Sequence, residues 1–120
     1  MNINFDNDIP IYLQVMEYIK NYIISGKIKN GEKLPSVREF SIKFKVNPNT
    51  VQKALYQLEN IGLIYTDRTN GKFVTIDSNI VNKIKNDKIT EFIDEYFNNM
   101  ENIGIKQKDA INYINERAEK

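Results

Sequence analysis

The 120-residue chain contains neither cysteine nor histidine. Without cysteine there is no disulfide, no thiolate metal site and no thiol nucleophile. Without histidine the commonest general base and the commonest metal ligand are missing, so any catalysis would rest on Asp, Glu, Lys, Tyr, Ser or Thr. An excess of one charge is lacking too. Seventeen Lys and Arg stand against 16 Asp and Glu, a formal +1, which excludes a uniform polycation and leaves only local patches. No apolar run approaches the roughly 20 residues of a membrane span. Met1 to Pro10 carries Asp6 and Asp8 and has no basic start followed by an apolar stretch, so a signal peptide is not expected and the cytoplasm is the default location. What the chain does have is 41% hydrophobic and 28% charged residues, enough for one modest packed domain or a small domain with a helical appendage.

Periodicity predicts a first helix from about Pro10 to Ile24, with Tyr12, Met16, Ile19 and Ile23 on one stripe, Asp8 as its cap and Gly26 as its stop. Lys27 to Pro35 reads as a turn-rich link. A second helix opens at Ser36-Val37-Arg38-Glu39, the S-x-x-E capping box, with Val37, Phe40 and Phe44 as its buried stripe. Asn47-Pro48 supplies a cap and a first-turn proline for a third helix, whose buried face is Val51, Ala54, Leu55 and Leu58 and whose stop is Gly62. Ile64 to Asp67 and Lys72 to Ile76 read as strands, and between them lies Arg68-Thr69-Asn70-Gly71, whose Asn-Gly supplies the positive φ angles of a tight hairpin. From Ile80 to about Asn102 a long amphipathic helix follows, broken by Ile103-Gly104-Ile105, and Ile111 and Ile114 mark a short last helix. The expected fold is mainly α with a small β-hairpin: residues 1–77 form one domain and 78–120 a helical segment.

Two helices joined by a tight turn, the second well capped, are the geometry that sets a recognition helix in a DNA major groove. Outside the buried face of the third helix lie Asn49, Gln52, Lys53, Tyr56 and Gln57. Asn and Gln pair with adenine edges, and Lys reaches guanine or phosphate. Between residues 20 and 53 eight basic residues face two acidic ones, a local +6 in a chain of total +1, which concentrates charge where phosphates would lie. In the long helix, Ile89, Phe92, Ile93, Tyr96, Phe97 and Met100 cover too wide an arc for one chain to bury, which points to a symmetric homodimer.

Gly31-x-x-Leu34-Pro35-Ser36-x-Arg38-Glu39, Val46-Asn47-Pro48-Asn49-Thr50-Val51, Ala54, Leu58-Glu59, Gly62-Leu63-Ile64 and Gly71-x-Phe73-Val74 closely resemble the winged helix-turn-helix of GntR-family bacterial transcription regulators. The resemblance covers about residues 9–76. The 44 residues that follow are too few for the large effector domains of most subfamilies and are similar to the YtrA-type subfamily, where two short helices form the dimer interface. The resemblance implies operator contact by Arg38, by Asn47, Asn49 and Thr50 at the start of the recognition helix, and by the wing tip Asn70, Gly71 and Lys72 in the minor groove. It also implies transporter genes as targets, and the two-fold symmetry of a homodimeric repressor calls for an inverted-repeat operator. Gln52 and Pro48 stand where some members have arginine, so their guanine contacts do not carry over, and A·T-richer half-sites are expected.

Each residue also has a plainer reading. Arg38 holds Glu59 or another acid in a surface pair, the lysine run is a solvated face, Asn47 is only a cap, Tyr56 lies half buried under the wing, and Asn70-Gly71 serves only the turn. A winged-helix protein-interaction module without DNA binding is the competing function, against which the +6 segment speaks. An enzyme is not expected. Asp6/Asp8 and Asp94/Glu95 sit on a tail or a helix surface with no phosphate loop or metal-spaced acids nearby, so neither cofactor nor metal is called for. A small-molecule effector is left unidentified by the sequence.

Overall fold

The computed structural model describes residues 4–119. The first three residues of the stretch weighed above as a leader, and Lys120, lie outside it. The order is α1 (Ile11–Ile24), α2 (Val37–Phe44), α3 (Pro48–Asn60), β1 (Ile64–Asp67), β2 (Gly71–Val74), α4 (Ser78–Asn102) and α5 (Gln107–Ala118). Two compact units divide within α4, one ending at Lys83 and the other beginning at Ile84.

In the first unit α1 and α2 both pack on α3. Val15, Ile19 and Ile23 of α1, Phe40 and Phe44 of α2, and Val51, Ala54, Leu55 and Leu58 of α3 are essentially withdrawn from water. The expected α3 face is thus met in full. The α1 stripe is rotated: Val15 is buried, while Tyr12 and Met16 are only half-buried. Pro10 occupies the cap position of α1 and no side chain caps it. Asp8 does not. Its amide donates to Asp6 Oδ1 at 2.8 Å, and the entry to the helix is held by Gln14, whose Nε2 donates to the carbonyls of Asp6 and Ile9.

The start of α2 carries the full capping box: Ser36 Oγ accepts from Glu39 N, and Glu39 Oε1 accepts from Ser36 N. Val37 is half-buried rather than part of the deep stripe. The helix ends at Lys45, which takes a left-handed conformation with φ 56°. Val46 N donates back to Ser41 O, and Ser41 Oγ donates to Val46 O at 2.6 Å. This closes the tight turn before Asn47, whose Oδ1 caps α3 by accepting from Asn49 N. At the far end of α3, Gly62 with φ 81° lets Leu63 N reach Leu58 O, a closure that satisfies the last carbonyls.

The hairpin pairs Ile64 with Val74, Tyr65 with Phe73, Thr66 with Lys72 and Asp67 with Gly71. Two expectations are corrected here. Asn70 does not take the positive φ expected of the Asn-Gly pair. Residues 68–70 form a three-residue loop, Asn70 N donates to Asp67 O, and only Gly71 has a positive φ, the geometry of a turn followed by a bulge glycine. The second strand stops at Val74, with Ile76 79% exposed. The stretch 27–35 is also more than a link. Gly31 N donates to Val74 O, Val74 N to Glu32 O and Leu34 N to Lys72 O, with Lys33 bridged to Phe73, so residues 31–34 line the free edge of β2. Asp77 Oδ1 accepts from Asn79 N at the start of α4.

In the second unit α4 ends in the same closure as α3, with Ile105 N donating to Met100 O and Gly104 at φ 87°. The expected break at Ile103-Gly104-Ile105 and the final helix are both present. Tyr96 Oη donates to Ala110 O at 2.7 Å, and Ala110 is fully buried, so one turn of α5 is seated on α4. The apolar residues Ile89, Phe92, Ile93, Ile111 and Ile114 remain exposed. Among the described residues no helix is long and apolar enough to cross a membrane.

Candidate nucleic-acid interface

Burying Val51, Ala54, Leu55 and Leu58 leaves the opposite side of α3 in water. Asn49, Gln52, Lys53 and Tyr56 are exposed, Tyr56 at 60% rather than tucked under the wing, and Thr50 and Gln57 are half-buried. The first turn of α3 has no acidic residue, unlike that of α2, which carries Glu39. Asn47 caps this N-terminus, but no carboxylate offsets its partial positive charge, which favours an anion. Lys53 Nζ lies 4.0 Å from the centroid of the Tyr12 ring on α1, which fixes this ammonium beside the helix.

Arg38, the second residue of α2, is exposed and has no ion-pair partner among the described residues. Glu59, the plainer partner considered for it, is occupied elsewhere. Its Oε2 lies 3.6 Å from Lys72 Nζ, and its Oε1 accepts from Thr66 Oγ1 at 2.7 Å. Lys72 Nζ also donates to Thr66 Oγ1 at 2.7 Å. Lys72 is thus held within the fold, which sets it apart from Asn70 and Gly71 at the exposed tip.

The tip is ordered by Asp67. Its carboxylate accepts from Thr69 N and Thr69 Oγ1 at 3.0 and 2.9 Å, and from Asn70 Nδ2 at 3.4 Å. These bonds, led by the backbone N–H of Thr69, lower the Asp67 pKa below its ordinary 3.8. Asp67 therefore presents a bonded anion inside the loop, while Asn70 and Gly71 stay exposed at its tip.

Lys33 belongs to the local +6 between residues 20 and 53. A Cβ on Gly71 would meet Lys33 Cε at 3.3 Å, so Lys33 lies against the root of the wing tip. Lys27, Lys33, Lys43 and Lys72 share with Ser36, Asn70 and Gly71 the lining of a groove of about 880 Å³. The cue in the sequence was the Gly31-x-x-Leu34 spacing, which only acquires meaning once residues 31–34 are paired with β2. Arg38 and the α3 residues Asn47, Asn49, Thr50, Gln52 and Lys53 do not line this groove.

The family described as "Bacterial regulatory proteins, gntR family" matches residues 11–74. The transcriptional regulator YhcF of Bacillus subtilis is 32% identical over 114 residues, which span 95% of this chain and 94% of that protein. The repressor YtrA of the same organism is 44% identical over 66 residues, 55% of this chain and about half (51%) of its own length. Among solved structures, a GntR family transcriptional regulator from Listeria monocytogenes superposes with a TM-score of 0.87 at 36% identity, covering 93% of this chain and 98% of the other. The DNA-binding domain of AraR, crystallised with its operator ORX1, superposes on 62% of this chain and 92% of its own at a TM-score of 0.55 and 33% identity. With the winged helix and its exposed third helix in place, the chain belongs to the GntR family and is a DNA-binding transcription regulator.

Proposed function

We propose that the protein is a homodimeric repressor that binds an inverted-repeat operator. The observation that carries this reading is the outward face of α3: exposed Asn49, Gln52 and Lys53 follow an N-terminus with no acidic residue in its first turn. In this reading α3 enters the major groove, and Gln52 and Asn49 read base edges. Asn47, Thr50, Arg38 and Lys53 contact the backbone, and Asn70 and Gly71 reach the minor groove. The relatives support the repressor assignment, since YtrA is named a repressor, and the AraR domain supports duplex DNA as the partner.

The dimer is inferred from the second unit. Ile89, Phe92 and Ile93 stand 47%, 55% and 48% exposed on consecutive turns of α4, followed by half-buried Tyr96, Phe97 and Met100. A run of apolar side chains of this kind is covered most economically by the same run on a second copy. Two-fold symmetry then calls for half-sites about one helical turn apart. Gln52, where some relatives carry arginine, together with Asn49, favours adenine over guanine in the half-sites.

Selection of binding sites from random duplex DNA tests this. The expected product is an inverted repeat with A·T-rich half-sites. Enrichment of a single asymmetric site, or of no site, would overturn the proposal.

A further inference from the structure

We infer that Glu59 is a positioning residue that fixes the wing to the recognition helix, so that the base preference of the wing tip depends on a side chain that itself touches no DNA. The inference rests on the reading above, in which α3 and the wing tip lie on one operator.

Glu59 is the next-to-last residue of α3. A carboxylate there faces the negative end of the helix dipole and is disfavoured unless something else holds it. Two groups do. Thr66 Oγ1 donates to Glu59 Oε1 at 2.7 Å, and Lys72 Nζ lies 3.6 Å from Glu59 Oε2. The circuit closes because Lys72 Nζ also donates to Thr66 Oγ1 at 2.7 Å. Thr66 and Lys72 are register partners on β1 and β2, one pair before Asp67 and Gly71 close the ladder. Each corner of the triangle therefore sits on a different element: the recognition helix, the outgoing strand and the returning strand.

This position matters because a ribbon of two four-residue strands holds its shape poorly alone. Residues 31–34 brace β2 along its other edge. Glu59 grips β1 and β2 together just below the tip and refers them to α3, the element that carries Asn49 and Gln52. Lys72 spends its charge inside this clamp, and so acts on DNA through the placing of Asn70 and Gly71.

The test compares wild type with Glu59→Ala, Glu59→Gln, Thr66→Val and the charge exchange Glu59→Lys with Lys72→Glu, all in the full chain. Two readouts are taken: amide hydrogen exchange across residues 64–74 in the free protein, and relative affinity for operator variants changed either under α3 or in the flanking minor groove. Glu59→Ala should quicken hairpin exchange by about tenfold or more. It should also flatten the flank preference by roughly fivefold while leaving discrimination under α3 within about twofold. Glu59→Gln, which keeps an oxygen for Thr66, should fall between, and the charge exchange should restore part of the order. Unchanged hairpin exchange in both Glu59→Ala and Thr66→Val would overturn the clamp whatever the DNA result. Quickened exchange with an intact flank preference would overturn its role in recognition. Loss of discrimination at all positions together, with a lower melting temperature, would assign Glu59 a merely structural part and overturn the inference as well. Failure of the wild-type chain to bind any operator would instead overturn the underlying reading, and would show separately from the exchange data.

Discussion

The Lys53 ammonium stands over the Tyr12 ring, 4.0 Å from its centroid, and so links the recognition helix to α1 through a side chain that the sequence placed on the buried stripe. A cation on an aromatic face at a site open to water is worth about 0.5–1 kcal/mol. Tyr12→Phe, which keeps the ring, should leave operator affinity within about twofold, whereas Tyr12→Leu should weaken it by roughly two- to fivefold. Lys53→Gln should weaken binding to all duplexes alike and reduce the slope of log affinity against log salt by about 1. Anisotropy titrations at several salt concentrations check all three variants.

Lys45 is the only non-glycine residue with a positive φ among those described, and it forms the turn between α2 and α3. A side chain in that region costs about 1–2 kcal/mol. Lys45→Asn, which tolerates the conformation better, should stabilise the fold by roughly 0.5 kcal/mol and raise the melting temperature by about 2–3 °C. Lys45→Val should do the reverse by 1 kcal/mol or more, on the order of the strain of a β-branched residue there. Thermal unfolding followed by circular dichroism gives the sign directly.

Ser36→Ala removes the acceptor of the Glu39 N–H from the α2 capping box. A loss of about 1 kcal/mol is expected, read from urea midpoints with an unchanged slope.

The wing tip should respond to acid through Asp67. Its folded pKa is lowered, first by the Thr69 backbone N–H. The order it contributes is therefore fully present above the unfolded value near 3.8 and is lost as pH falls through the lower folded value. Asp67→Asn should abolish this step. Amide chemical shifts of Thr69 and Asn70 between pH 6 and about 2 would show a titration in the wild type that is missing from the variant.

The dimer proposal predicts that Phe92→Asp yields a monomer, because a charge on a face that must be covered is left unpaired and desolvated. Sedimentation equilibrium should show the mass halved, with helix content unchanged, since Phe92 is 55% exposed in the single chain. A variant that still sediments as the wild type would count against this face.

Features set by neighbours in sequence were legible before the fold was known. Ser36 and Glu39, Asn47 and Pro48, and Gly62 act within a few residues of themselves, and each stands where the capping rules place it. Features set at a distance were not. Gly31 to Leu34 show no alternation, because their partner is β2, far along the chain. The α1 stripe lies part of a turn from its expected place because apolar and aromatic residues surround that helix: Tyr12, Val15 and Met16 each fit a buried stripe, and packing on α3 selects Val15. Asn70-Gly71 predicts positive φ angles at the turn, but the bonds from Thr69 and Asn70 to Asp67 hold a loop in which only Gly71 takes one. The candidate site divides in the same way. The exposed face of α3 follows from its period, whereas the occupation of Glu59 by Lys72 and Thr66, rather than by Arg38, required the hairpin to fold back on α3.

The most direct test of the central claim is a titration of the purified protein against a fluorescent duplex from its own upstream region, at two salt concentrations, with an unrelated duplex as competitor. The account predicts saturation at two protomers per duplex, weakened by salt and resistant to the competitor. Binding abolished by the competitor, or an affinity indifferent to salt, would contradict it.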